Sequence, residues 1–178
     1  MKKCYSLTLM EIKTLHNMLP IELIGKIKDY SYTQKNVRTN LTSWNPELIG
    51  PSGAILLYDL KDELLAEVKK EVQKHIPNID EYGSLTAMYV LGGRFSFIQW
   101  HNDTPHTFAM TVYLNEQWDM NWGGAFVYED TSKQFISVYP EYNKSICFEP
   151  PVWHTTNMSN LQAPLRESIQ IFCDPNDY

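Results

Sequence analysis

A chain of 178 residues with 43% hydrophobic and 20% charged residues has the composition of a globular protein, and its length suits one domain that buries roughly 70% of its unfolded surface. A formal net charge of −6, with no run of Lys or Arg, excludes a global attraction for nucleic acid or an anionic membrane. Three cysteines, none at CxxC spacing, argue against a structural zinc knuckle, and their odd number points to a reducing compartment. Glu11 and Lys13 interrupt the short apolar start too early for a signal peptide, and no apolar run reaches about 18 residues, so a cytoplasmic protein is expected.

In chain order, Leu9, Ile12, Leu15 and Met18 predict a short amphipathic helix over residues 7–18, ending near Pro20. A second short helix is expected over 21–27. Residues 30–53, polar and containing Asn, Thr, Ser and Pro, read as a long loop or extended segment. Residues 54–58 read as a strand. Residues 60–75 form the best helix: Asp59 can cap it, and Asp62 meets the helix dipole. Leu64, Leu65, Val68, Val72 and Ile76 form one apolar stripe, and Pro77 stops the helix.

After Gly83 the pattern changes to short β-branched and aromatic runs separated by Gly, Pro, Asn and Asp. Strands are expected at 84–91, 95–101, 106–114, 124–129, 134–139, 144–149, 153–158 and 166–173. The expected architecture is α+β in a single domain: a helical support region over 1–80, and an all-β antiparallel sandwich, barrel or jelly roll over 81–178.

The chemistry concentrates in Trp100-His101-Asn102-Asp103, in His154, 51 residues after Asp103, and in Arg166 and Ser168. A non-haem iron(II) oxygenase site needs two imidazoles and one carboxylate on one face of the metal, with the other positions open. Residues i and i+2 of a strand point the same way, so His101 and Asp103 can reach one metal from a strand end, and His154 can join them from a later strand. An Arg that opens a buried strand needs an anionic partner. Arg166 and Ser168 share a face and can grip one carboxylate, the guanidinium with a planar pair of donors. Arg94 is a second cation near the site. His106 reads as a rim residue, and His16 and His75 as solvated helix residues. Trp100, Trp118, Trp122 and Trp153 read as a cluster that excludes water or shapes a substrate entrance. Two His and one carboxylate also suit a zinc hydrolase, although the helical HExxH spacing is absent.

The stretch YVLGGRFSFIQWHND, followed by TVYLNEQWDMNWGGAFVYED, WHTTN and RESIQIF, resembles the prolyl 4-hydroxylase branch of the iron(II)/2-oxoglutarate dioxygenases over about residues 84–174. The resemblance implies a double-stranded β-helix (jelly roll, cupin-like) with His101, Asp103 and His154 as iron ligands. It further implies that Arg166 pairs with the distal carboxylate of 2-oxoglutarate, that the Tyr113 hydroxyl bonds the same carboxylate, that Tyr89 lines the co-substrate pocket, and that Ser168 assists Arg166. Fe(II), 2-oxoglutarate and O2 follow from it, with ascorbate as an optional reductant. The implied activity is hydroxylation of a C–H bond with decarboxylation of 2-oxoglutarate to succinate and CO2. The partner is a peptide or protein, or a small-molecule substrate, and neither nucleic acid nor membrane is expected. A nucleic acid demethylase of the same superfamily usually has a second Arg six residues after the first, where this chain has Phe172. A non-catalytic barrel that binds ligand in the same cavity is the alternative outside enzymes.

Overall fold

The computed structural model describes residues 12–175. The elements in chain order are β1 (Lys13–His16), α1 (Ile21–Thr33), β2 (Arg38–Thr39), α2 (Asn40–Ser43), α3 (Pro46–Ile49), β3 (Ile55–Asp59), α4 (Asp62–His75), β4 (Ser84–Gly92), β5 (Ile98–His101), β6 (Phe108–Tyr113), β7 (Phe126–Glu129), β8 (Phe135–Val138), β9 (Lys144–Phe148), β10 (His154–Thr156) and β11 (Arg166–Asp174). Among the described residues, no helix is long and apolar enough to cross a membrane.

The strands form a seven-stranded sheet in the order β1-β9-β6-β11-β4-β3-β2 and a four-stranded sheet in the order β5-β10-β7-β8. The strand pairs among the described residues are antiparallel, and the two sheets form a double-stranded β-helix of the jelly-roll type. Side chains alternate across each strand, so register decides which residue enters the interior. On β4 and β11, Ala87, Tyr89, Leu91, Ile169, Ile171 and Cys173 face outward and pack with Leu23, Ile24 and Ile27 of α1 and Val68 and Val72 of α4. The alternate residues Met88, Val90, Ser168 and Gln170 face the smaller sheet.

All eight strands expected after Gly83 form: six are trimmed by one to three residues at an end, and β4 and β11 each run one residue longer. Earlier in the chain the differences are larger. Of the expected helix over 7–18, residues 7–11 lie outside the described residues, and Lys13–His16 is a strand that completes the edge of β9. Pairing of those backbone groups overrides the helical spacing of the side chains. Helix α1 runs on to Thr33, with Leu23, Ile24, Ile27 and Ser31 on its buried face. The stretch 30–53 is no open loop. It holds the end of α1, β2, and the one-turn helices α2 and α3. In α3, Pro46 takes the first turn and Asn45 accepts a hydrogen bond from the Glu47 N–H. Buried Asn40 ties this segment to β3: its amide donates to the Gly53 carbonyl (3.0 Å) and its oxygen accepts from the Ile55 N–H (3.1 Å). Lys61, not Asp59, holds the N-cap position of α4 and makes no side-chain capping hydrogen bond, and Asp59 instead closes a two-pronged ion pair with Arg38 across β2 and β3. The first eighty residues therefore supply three strands as well as helices.

Candidate metal centre

His101 ends β5 and lies directly opposite His154 at the start of β10, with Tyr128 of β7 on the other side. The two imidazoles are 4.1 Å apart, centre to centre. Asp103 lies beyond the strand end at φ +57°, a left-handed conformation that Asp tolerates better than most residues. Its carboxylate therefore arrives through a turn and not through strand alternation, and it still meets both rings: Oδ1 is 3.2 Å from His101 Nε2 and Oδ2 is 3.5 Å from His154 Nε2. One ligand atom from each of the three residues lies within 4.8 Å of the others, so the group could hold a metal ion.

The backbone selects which nitrogens are offered. His101 Nδ1 donates to the Gln99 carbonyl (2.7 Å) and His154 Nδ1 to the Val152 carbonyl (2.8 Å). A carbonyl only accepts, so both protons sit on Nδ1 and both Nε2 lone pairs face Asp103. Phe126 stacks on His154 at 4.7 Å and Phe148 meets it edge-on at 5.1 Å. Burial drives the His154 pKa down to about 4, against the pull of Asp103, so the ring is neutral near pH 7. Burial alone would raise the Asp103 carboxyl. The neighbouring imidazoles of His101, His154 and His106 outweigh this and hold it below its ordinary value. Two imidazoles and one carboxylate on one side of a space are the donor set of a non-haem iron(II) centre.

A second polar group lies between the sheets. Arg166 opens β11 and is 3% exposed. No hydrogen bond or ion pair to its guanidinium is found among the described residues. Gly92 is its register partner, and a Cβ at Gly124 would lie 3.2 Å from Arg166 Cδ and 2.9 Å from the Trp118 ring. Ser168 and Tyr113 are register partners on the same face, and both hydroxyls are buried without a hydrogen-bond partner. Burial pushes the Tyr113 phenol up to about 12, partly offset by Arg166, so it stays protonated and able to donate. Burial also pulls the Arg166 pKa down. A buried cation beside two unused hydroxyls is costly unless an anion completes it, so the cluster fits the distal carboxylate of a dicarboxylic acid. Arg94 is exposed, so the buried cation here is Arg166.

A cavity of ≈ 410 Å³ opens beside His101, Asp103 and His154. Its wall reaches Thr111 and Gln170 and stops one inward-facing position, about 7 Å, short of Tyr113 and Ser168. Trp44 and Leu48, from the stretch read as loop, line it.

Two expected placements differ, Tyr89 and the tryptophans, whereas His106 lies partly exposed at the cavity. Tyr89 faces α1, away from the cavity: its hydroxyl donates to Glu167 (3.0 Å), which also pairs with Lys28, and its ring packs against Tyr32 and Tyr58. The four tryptophans do not form one cluster. Trp118 and Trp122 pack edge-on near Arg166, whereas Trp100 and Trp153 are about half exposed, with Trp100 against Phe135. Sequence reasoning also missed Phe126 and Phe148 as the braces of His154. Each lies in a correctly expected strand, but which strands flank His154 is a matter of pairing that strand periodicity leaves open.

The chain matches the family model of the 2OG-Fe(II) oxygenase superfamily over residues 84–173. No curated protein sequence matches it. Among solved structures it is similar to a prolyl-4-hydroxylase of Pseudomonas putida, with 13% identity, TM-score 0.71 and 94% of each chain covered. It is also similar to a Trichoplax adhaerens prolyl hydroxylase in complex with a hypoxia-inducible-factor peptide fragment, with 14% identity, TM-score 0.65, and 90% of this chain and 82% of that one covered. A third is HygX of Streptomyces hygroscopicus with nickel, 2-oxoglutarate and hygromycin B bound, at 10% identity, TM-score 0.68, and coverage of 96% and 85%. At these identities the likeness shows the fold. The family match spans half of the chain and contains all three ligand candidates and Arg166: the chain belongs to the 2OG-Fe(II) oxygenase superfamily, with Fe(II), 2-oxoglutarate and O2 as its cofactor and co-substrates.

Proposed function

We propose that this oxygenase hydroxylates a C–H bond of a prolyl residue in a peptide, with His101, Asp103 and His154 holding Fe(II) and Arg166, Tyr113 and Ser168 holding the distal carboxylate of 2-oxoglutarate. The observation that carries the reading is the presence, between the same two sheets, of a three-ligand cluster within 4.8 Å and a separate buried guanidinium with two unpartnered hydroxyls. A dicarboxylic co-substrate needs both ends served. Two of the similar structures are prolyl hydroxylases, which favours a prolyl acceptor.

When bound, iron with 2-oxoglutarate and oxygen supplies decarboxylation of the keto acid to succinate and CO2 and transfer of one oxygen atom to a C–H bond. The protein supplies orientation and shelter. His101 and His154 present Nε2 because the Gln99 and Val152 carbonyls hold the other nitrogens. Phe126 and Phe148 fix the His154 ring and keep water from it. Arg166 neutralises the far carboxylate, and the Tyr113 and Ser168 hydroxyls donate to it.

The test supplies the iron-loaded protein with 2-oxoglutarate, O2 and either prolyl peptides or small metabolites, and reads succinate by chromatography and added oxygen by mass spectrometry. One oxygen atom on a prolyl residue is the expected result. Oxygen transferred only to a small metabolite would contradict the prolyl reading. No succinate with metal shown to be bound would contradict the oxygenase chemistry itself.

A further inference from the structure

The sequence element TVYLNEQWD supplies Tyr113 to the proposed co-substrate site, and the function above gives its asparagine, Asn115, no part. Asn115 is 8% exposed and lies just past the end of β6. The regular pairing of β6 with β11 stops at Tyr113 and Ser168, and one further backbone bond follows, from the Leu114 N–H to the Glu167 carbonyl (2.9 Å). Arg166, the first residue of β11, is therefore paired with Gly92 of β4 on one side and has no strand partner on the other among the described residues. Residues 157–165, which lead into it, form neither helix nor strand.

The Asn115 side chain fills the open side. Its Oδ1 accepts from the Glu167 N–H (2.8 Å), and its Nδ2 donates to the Leu165 carbonyl (2.8 Å). A primary amide carries the same acceptor and donor as a peptide group, so one side chain holds the backbone before and after Arg166 as a neighbouring strand would. From the outer face, Lys28 (2.5 Å) and the Tyr89 hydroxyl (3.0 Å) hold the Glu167 carboxylate. That grip reaches only the residue after Arg166 and leaves the Leu165 carbonyl to Asn115. The Arg166 stem has little room to compensate for a backbone shift, since a Cβ at Gly124 would lie 3.2 Å from its Cδ. Where the guanidinium sits therefore follows where the Arg166 backbone is held.

We propose that Asn115 is a positioning residue of the co-substrate site: its amide fixes the backbone on both sides of Arg166 and so aims the guanidinium at the distal carboxylate, beside Tyr113 and Ser168. It acts through Arg166 and not by contact with 2-oxoglutarate. The inference rests on the proposed role of Arg166 and deepens it, because Tyr113 and Asn115, two residues apart, then place both the phenol and the cation that serve one carboxylate.

The test is an anaerobic calorimetric titration of the iron(II) protein with 2-oxoglutarate, in a cycle of four proteins: wild type, Asn115→Ala, Arg166→Ala and the double variant. Asn115→Ala is expected to raise the Kd about tenfold, the scale of one weakened charge-assisted hydrogen bond. With Arg166 already replaced, the same substitution is expected to change the Kd less than about twofold, because two residues that act through one contact do not add. Iron(II) affinity should also move less than about twofold. Asn115→Ser, small and still polar, replaces Asn115→Ala in the cycle if that variant fails to fold. An unchanged Kd in the folded variant, or an equal loss with and without Arg166, would overturn the proposal. So would the failure of both Asn115 variants to fold, which would make the residue a requirement of the fold. If Arg166→Ala alone leaves the Kd unchanged, the proposed role of Arg166 fails and takes this inference with it. No binding of 2-oxoglutarate by iron-loaded wild type would sink the function itself.

Discussion

Arg166 shows how one residue can be understood only by what it lacks. Its guanidinium is buried, and no carboxylate among the described residues completes it. Arg166→Ala removes a charge-assisted contact of about 2–3 kcal/mol and should raise the KM for 2-oxoglutarate roughly 30- to 150-fold. In the protein without co-substrate, Arg166→Met should not lower the melting temperature, because it removes an unpaired buried charge and keeps most of the volume. A clear loss of stability there would mean that the cation already has a partner. Tyr89 gives the opposite case. With its hydroxyl on Glu167 and its ring against α1, Tyr89→Phe should cost about 1–2 kcal/mol of stability, measured by denaturant unfolding. The KM for 2-oxoglutarate should hold, and a rise would return Tyr89 to the co-substrate pocket. The family resemblance assigns both residues to the co-substrate pocket. What separates them is register, since Arg166 pairs with Gly92 on the inward face and Tyr89 with Ile169 on the outward one, and a motif does not encode a face.

At the scale of elements, the eight strands after Gly83 were legible because each alternates or clusters β-branched and aromatic residues between turn signals. The segment before β3 was not. A four-residue helix such as α2 or α3 completes a single turn, too short for a 3.6-residue period to register. Those two turns matter for function, because they carry Trp44 and Leu48 to the cavity wall. Their anchor is Asn40, and Asn40→Ala would leave the Gly53 carbonyl and the Ile55 N–H without this partner. The expected cost is about 2–3 kcal/mol, visible as a lowered urea midpoint with unchanged slope. A midpoint that does not move would show the cover to be held by packing alone. Strand β1 was missed for a different reason: it lies within the helically spaced run of Leu9, Ile12, Leu15 and Met18, and only the open edge of β9 makes a strand the better solution.

For the whole molecule, the proposed ligand residues come from β5, the turn after it and β10, which would couple metal binding to folding. A metal that binds only the folded state adds about 2.7 kcal/mol at a concentration of 100 times its Kd. In a chain of this size that is roughly a 5–10 °C rise in melting temperature, abolished by chelator and absent in His154→Ala. The three candidate ligands, which the structure brings together, were readable from the sequence as residue types at a plausible spacing. The interior that makes it a centre, with backbone carbonyls on both Nδ1 atoms and two phenylalanines around His154, appears only once the sheets are paired. The most direct test of the central claim is an anaerobic titration of the iron(II) protein with 2-oxoglutarate, followed through the visible charge-transfer band of a chelated keto acid. The account predicts a saturable band that is lost in His154→Ala and needs much more 2-oxoglutarate in Arg166→Ala. A protein that binds iron yet develops no band, or an unchanged band in folded His154→Ala, would contradict it.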